Sequence, residues 1–231
     1  MKKLLIILAL VSAPVFASHT QKVMQTKVPV DHLYVPKGYD SNDNIELVVE
    51  GYLPNLCYKN PASVIDVKGK TVNVSIVANS TDFDGAQCAE MIVPFSHVFT
   101  VGLLDKGNYN VVVNGKHNTS LFVTESSSDA IDDEIYANVH QIEQIPGEQR
   151  VIVRGYHPSY CLEFDKFIID DNGTDTYSVR PITKQISDFC PKKMIPFEYE
   201  MEVPSALKRN RVLIHVRSMN GNSVNSIYSR K

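Results

Sequence analysis

Four cysteines, seven histidines and two acidic segments are the residues of this chain whose types suit chemistry. Cys57, Cys88, Cys161 and Cys190 are even in number and show no CxxC pair or Cys/His spacing of zinc type. Cross-linking in an oxidising compartment is therefore what they are suited to. The histidines are scattered, and no Gly-x-Ser-x-Gly elbow, HExxH motif or phosphate-cradling glycine loop accompanies them. The expectation is a protein that is not an enzyme. Asp170-Asp171-Asn172-Gly173-Thr174-Asp175 and the cluster Asp129, Asp132, Asp133 and Glu134 offer oxygen ligands of the kind a hard cation takes. A tight hairpin turn and a solvated linker call for the same residues, and the EF-hand spacing lacks its closing glutamate. No cofactor is expected. Calcium is the one ion for which Asp129, Asp132, Asp133, Asp170, Asn172 and Asp175 would be ligands.

Two further groups of side chains suit binding. From Ser205 to the end the chain carries Lys208, Arg209, Arg211, Arg217, Arg230 and Lys231 and no acid. Arg209 and Arg211 could face an anionic partner; pairing with the acids of Asp129–Asp175 inside the same sandwich is the plainer reading. Tyr52, Tyr58, Tyr156 and Tyr160 flank the first cysteine of each pair, where they would either bind a ligand or cover a disulfide.

What positions these residues is a duplication. Gly51-Tyr52-Leu53-Pro54-Asn55-Leu56-Cys57 returns as Gly155-Tyr156-His157-Pro158-Ser159-Tyr160-Cys161, and Cys88 to Phe95 returns as Cys190 to Phe197. Each Gly-Tyr motif follows a β-type run, Leu47–Glu50 or Val151–Arg154, and each Pro-Phe precedes another. Of the three pairings that four cysteines allow, the repeat selects Cys57 with Cys88 and Cys161 with Cys190. Each bridge would close a loop of about 30 residues, worth roughly 3–4 kcal/mol.

Both copies read as short strands broken by turns. In the first these are Lys27–Tyr34, Ile45–Gly51, Ala62–Val67, Thr71–Ala78, Pro94–Val101, Tyr109–Val113 and Ser120–Thr124. The second runs Ile135–Glu143, Gln149–Gly155, Glu163–Ile169, Thr176–Ile182, Pro196–Val203, Arg211–Arg217 and Asn222–Tyr228. Seven short strands per roughly 100 residues predict an all-β protein of two tandem immunoglobulin-like β-sandwich domains, each with one disulfide. There is no tryptophan to pack on the bridge, so the disulfide is expected on a loop or on neighbouring strands. The polar stretch Glu125–Asp129 should join the sandwiches end to end.

Lys2, Lys3, the apolar run Leu4–Val11 and Val15-Phe16-Ala17 read as a secretory leader, too short to span a bilayer. The division expected is a signal peptide at 1–17, a first sandwich at 18–125 and a second at 126–231. No later stretch has membrane-spanning length, and a net charge of −3 speaks against a nucleic-acid binder.

The pattern Gly51…Pro54…Cys57, Cys88, Pro94-Phe95 and Gly107–Gly115 resembles small immunoglobulin-like modules of uncharacterised exported bacterial proteins. The second copy keeps all but the last element. The resemblance covers most of the chain after the leader and implies a fold. With it goes the expectation of a periplasmic or secreted, non-catalytic envelope protein that binds or spaces a protein or glycan partner. A secreted protease inhibitor and a pilus-type periplasmic chaperone are the alternatives, and a hydrolase comes last.

Overall fold

The computed structural model describes residues 23–81 and 87–230; the leader expected at 1–17, the Asp84-Gly85 turn and Lys231 lie outside them. Among the described residues the regular structure is all strand. The first half holds β1 (Met24–Lys27), β2 (Val30–Tyr34), β3 (Tyr39–Asp40), β4 (Ile45–Leu53), β5 (Tyr58–Lys68), β6 (Thr71–Ser80), β7 (Val93–Gly102), β8 (Gly107–Val113) and β9 (His117–Thr124). The second holds β10 (Asn138–Gln144), β11 (Arg150–Ser159), β12 (Leu162–Asp171), β13 (Thr176–Gln185), β14 (Lys192–Glu202), β15 (Arg211–Ser218) and β16 (Asn222–Ser229).

The strand expected over Lys27–Tyr34 is two strands. Pro29 has no N–H to give a ladder, and its carbonyl instead accepts the Tyr52 N–H at 3.3 Å. The chain therefore changes sheets there, β1 pairing with β6 and β2 with β4. The second half keeps only a trace of this step, an isolated bridge of Tyr136 to Ile182.

Each half is a sandwich of the same plan. Sheet β2-β4-β7 faces the six-stranded sheet β1-β6-β8-β9-β3, in which β5 also pairs with β6, and β10-β11-β14 faces β12-β13-β15-β16. The sheets are not purely antiparallel as in antibody domains: β6 runs parallel to β8, and β13 to β15. The hairpin that leaves the first sheet lays its second strand, not its first, against the next element. Ile45, Leu47 and Val49 of β4 meet Val72, Val74 and Ile76 of β6 and Val111 and Val113 of β8 in one core. Val151, Val153, Tyr177, Val179, Val212, Ile214 and Val216 build the other. Each such burial contributes roughly 1.5–3 kcal/mol.

The repeated motifs meet in space. Gly51 pairs with Phe95 and Tyr52 with Pro94; Gly155 pairs with Phe197 and Tyr156 with Pro196. A Cβ on Gly51 would lie 2.2 Å from the Pro29 carbonyl oxygen and 3.0 Å from Phe95 Cζ. On Gly155 it would lie 2.0 Å from the Asn138 oxygen and 2.5 Å from Phe197 Cζ. The glycines are there so that a ring can lie over them beside a bulged strand. The disulfides are those the repeat selects, Cys57–Cys88 with Cα atoms 5.6 Å apart and Cys161–Cys190 at 5.2 Å. Each ties the connection leaving β4 or β11 to the one entering β7 or β14. Both connections cross between sheets, so the bridge staples one pole of its sandwich.

The two sandwiches are not end to end. They lie side by side, the outer face of β2 and β4 against the outer face of β15 and β16. Tyr34 and Val48 pack there with Leu213 and Ile227. Polar contacts flank this patch: Asp43 with Arg217, Glu46 with Ser223 and Asn225, and Glu50 with Arg211. Burying Val48 and Leu213 removes apolar area from water that an end-to-end arrangement would leave exposed.

Candidate functional site

Two places gather side chains beyond what the cores need: the junction between the sandwiches and the stapled poles. At the junction, β15 alternates Val212, Ile214 and Val216 inward, which points Leu213, His215 and Arg217 at the first sandwich. Arg217, its side chain only 8 % exposed, lies 3.1 and 2.9 Å from the two oxygens of Asp43. It also donates to the Gly38 carbonyl and stacks 5.2 Å above the Tyr39 ring. Burial pushes His215 down to about 4, so it is neutral. Its Nδ1 donates to Asn225 Oδ1 at 2.8 Å, and its Nε2 lies 3.3 Å from the Tyr39 hydroxyl. That hydroxyl donates to the Glu46 carbonyl at 2.7 Å. With Nδ1 bonded to Asn225 and Nε2 packed against the Tyr39 hydroxyl, whose proton goes to Glu46, His215 is a buried strut between the modules.

Asp40, buried beside this cluster, has its carboxyl raised to about 6 by burial and then by contact with Asp133. A second strut is His32, whose Nε2 donates to Asp175 at 2.8 Å while its Nδ1 faces Arg209 at 3.4 Å. A guanidinium fills the place a nucleophile would take in a catalytic triad. Burial works to raise the Asp175 carboxyl, but hydrogen bonds from His32, Asn172 and Thr176 outweigh it and hold the group below the usual range.

The calcium ligands anticipated from the sequence are not assembled. Asp132 accepts the Asn220 and Gly221 N–H groups at 2.7 and 2.9 Å, Asp133 accepts from Ser127, and Asp170 pairs with Arg180. Asn172 Oδ1 accepts the N–H groups of Thr174, Asp175 and Thr176 and so closes the β12–β13 turn. Asp129 is exposed on the linker. Among the described residues no three His, Cys, Asp or Glu side chains converge as a metal site. Oxygens of Asp132, Asp133, Asp170 and Asn172 are engaged by turn N–H groups, a linker hydroxyl and a guanidinium. The basic residues are also differently placed from the plainer expectation: Arg211 and Arg217 pair with the first sandwich, not with acids of their own.

Of the tyrosines, Tyr58 packs on the first core, Tyr52 is half-buried opposite Pro94, and Tyr156 sits 6.5 Å from the His140 ring. Tyr160 alone is more than half exposed, with Lys193 bonded to its hydroxyl at 2.7 Å and lying over its ring. It belongs to a group the sequence reading missed. Leu56, Met91 and Ile92 are exposed around Cys57–Cys88; Tyr160, Ile186, Phe189 and Met194 are exposed around Cys161–Cys190. Leu56 corresponds to Tyr160, and Ile92 to Met194, in the repeat. The signal was large apolar residues in otherwise polar connections, once per copy.

These poles point in opposite directions. β4 runs toward its own disulfide, and so does β15, being parallel to β13. Across the junction Asp43 meets Arg217 while Glu50 meets Arg211, so the two strands run oppositely. One apolar pole therefore lies at each end of the pair.

Residues 47–123, spanning β4 to β9, match the family model of the ORF11 beta-sandwich domain. No curated protein and no solved structure matches the chain. The disulfides are compatible with an extracellular or secreted protein, and among the described residues no helix is long and apolar enough to cross a membrane.

Proposed function

We propose that this is an exported, non-catalytic envelope protein that holds two partners, or two parts of one, at a set spacing. The observation that carries the reading is the pair of equivalent apolar poles, each stapled by a disulfide, turned away from each other by an interface of the buried Asp43–Arg217 pair and apolar contacts. Duplication alone would supply two poles; the junction makes their separation definite, and stapled loops lose little entropy on binding. Photo-cross-linkers placed at Ile92 and at Met194, in cell-envelope extract, test it. Adducts at both poles are the expected result, unchanged by chelator; absence of adducts at either pole refutes the reading.

A protease inhibitor is the second reading, favoured by the exposed, braced loop at Ser187–Cys190. Its phenylalanine at 189, 79 % exposed, would occupy a specificity pocket. Titration against chymotrypsin-like proteases with no inhibition removes it.

A further inference from the structure

We propose that the pole of the second sandwich is a contact for an anionic lipid surface, with Phe189, Ile186 and Met194 entering the headgroup region and Lys192 and Lys193 meeting the phosphates. The proposal deepens the reading of the poles as binding sites and says what one of them takes. Every residue from Lys184 to Met194 is exposed, so the segment protrudes. Phe189, Met194, Ile186 and Tyr160 are 79, 65, 56 and 56 % exposed. A protruding apolar group needs either a matching concavity or a soft acceptor, and a bilayer interface is the soft acceptor. Charge decides further: between Ile186 and Met194 stand Lys192 and Lys193 against one acid, Asp188. Lysines behind an apolar tip are the arrangement that an anionic leaflet attracts. Tyr160, its hydroxyl bonded to Lys193, has the amphipathic character of residues at a membrane interface.

The loop is also shaped in advance. Ile186 N–H donates to the Cys161 carbonyl at 2.7 Å, Ser159 Oγ to the Pro191 carbonyl at 2.9 Å, and Cys190 is bonded to Cys161. Insertion would order little that is not ordered already. The other pole differs where it should if only one meets lipid: Gln87 to Ile92 carries Glu90 and no base.

The test is co-sedimentation of the purified protein, disulfides intact, with vesicles of phosphatidylcholine alone or with about one third phosphatidylglycerol. Binding to the anionic vesicles, weakened by salt, is expected. Phe189→Ser should weaken it about tenfold or more, as should Lys192→Glu with Lys193→Glu, while Ile92→Ser leaves it within about twofold. All these positions are exposed, and unchanged thermal unfolding shows that the variants fold. Equal binding to both vesicle types, no binding, or binding indifferent to Phe189→Ser overturns the proposal. Self-association in sedimentation velocity that Phe189→Ser abolishes, without vesicle binding, would assign the pole to a second copy and overturn it equally. Failure on vesicles with the Met194 cross-link to an envelope protein retained overturns the lipid contact alone and leaves the two-pole reading standing.

Discussion

Replacing Arg217 by methionine removes the charge that holds the two sandwiches together while keeping most of the stem. Three contacts go with it: two oxygens of Asp43 at 2.9 and 3.1 Å, the Gly38 carbonyl, and the face of Tyr39. Stripping one partner from a buried ion pair typically costs about 3–5 kcal/mol, because the other charge is left without compensation. Asp43 keeps the Asp40 N–H at 2.8 Å and is itself 12 % exposed, which argues for the lower end. The lost stacking adds about 0.5–1 kcal/mol. About 3–4 kcal/mol in total should leave the junction, against a typical net stability of roughly 5–15 kcal/mol for a domain. The wild-type protein should unfold in one transition, since neither module can leave without exposing Val48 or Leu213 and unpairing Arg217. In R217M the transition should separate into two. Guanidinium titration followed by far-ultraviolet circular dichroism and by tyrosine fluorescence reads both quantities, tyrosine because the chain has no tryptophan. Adding Asp43→Leu to R217M should recover most of the loss, as replacing a buried pair by apolar groups is often neutral. A single transition in R217M, shifted by less than about 1 kcal/mol, would refute the junction as the coupling element.

Gly155→Ala should cost more than about 3 kcal/mol, because its Cβ would stand 2.0 Å from a backbone oxygen and 2.5 Å from Phe197. Trimming the ring as well, with Phe197→Leu, should recover little in a chemical denaturation series, since the backbone clash remains. Replacing Cys161 and Cys190 together by alanine should lower stability by roughly 3–4 kcal/mol, the entropy of a loop with sequence separation 29, read as a lower guanidinium midpoint of the single transition. Asp40 has a folded pKa of about 6 against 3.8 unfolded, so it binds a proton more readily when folded. Its contribution is full below the unfolded value and is lost as pH rises through about 6. Asp40→Asn should therefore flatten the fall in urea midpoint between these pH values and raise stability near neutrality by about 1 kcal/mol. A midpoint that keeps its slope in the variant would show that another group titrates there.

The repeat, the strand rhythm and the cysteine pairing were legible without coordinates, because each rests on local or self-similar information. Alternation marks an inward face wherever a strand covers one core, and in Thr71–Val77 it marked Val72, Val74 and Ile76. The glycine and phenylalanine of the paired motifs were visible as repeated letters. That they touch was not, since the register that sets them opposite each other joins strands far apart in the chain.

What the chain alone left open was everything set by contacts between distant residues. Val48 and Leu213 sit at outward strand positions, where an apolar residue signals a partner but does not say which. Arg217 and Arg211 read as a basic edge because Asp43 and Glu50 stand far away in the chain. The acidic segments read as turns or linker before they read as ligands, and which donors fold around Asn172 and Asp132 is a matter of tertiary contact. The opposite direction of the two poles follows from which faces dock, a matter of shape and charge summed over two surfaces. Sequence spacing records the period of a strand; it carries no measure of the distance between one module and the next.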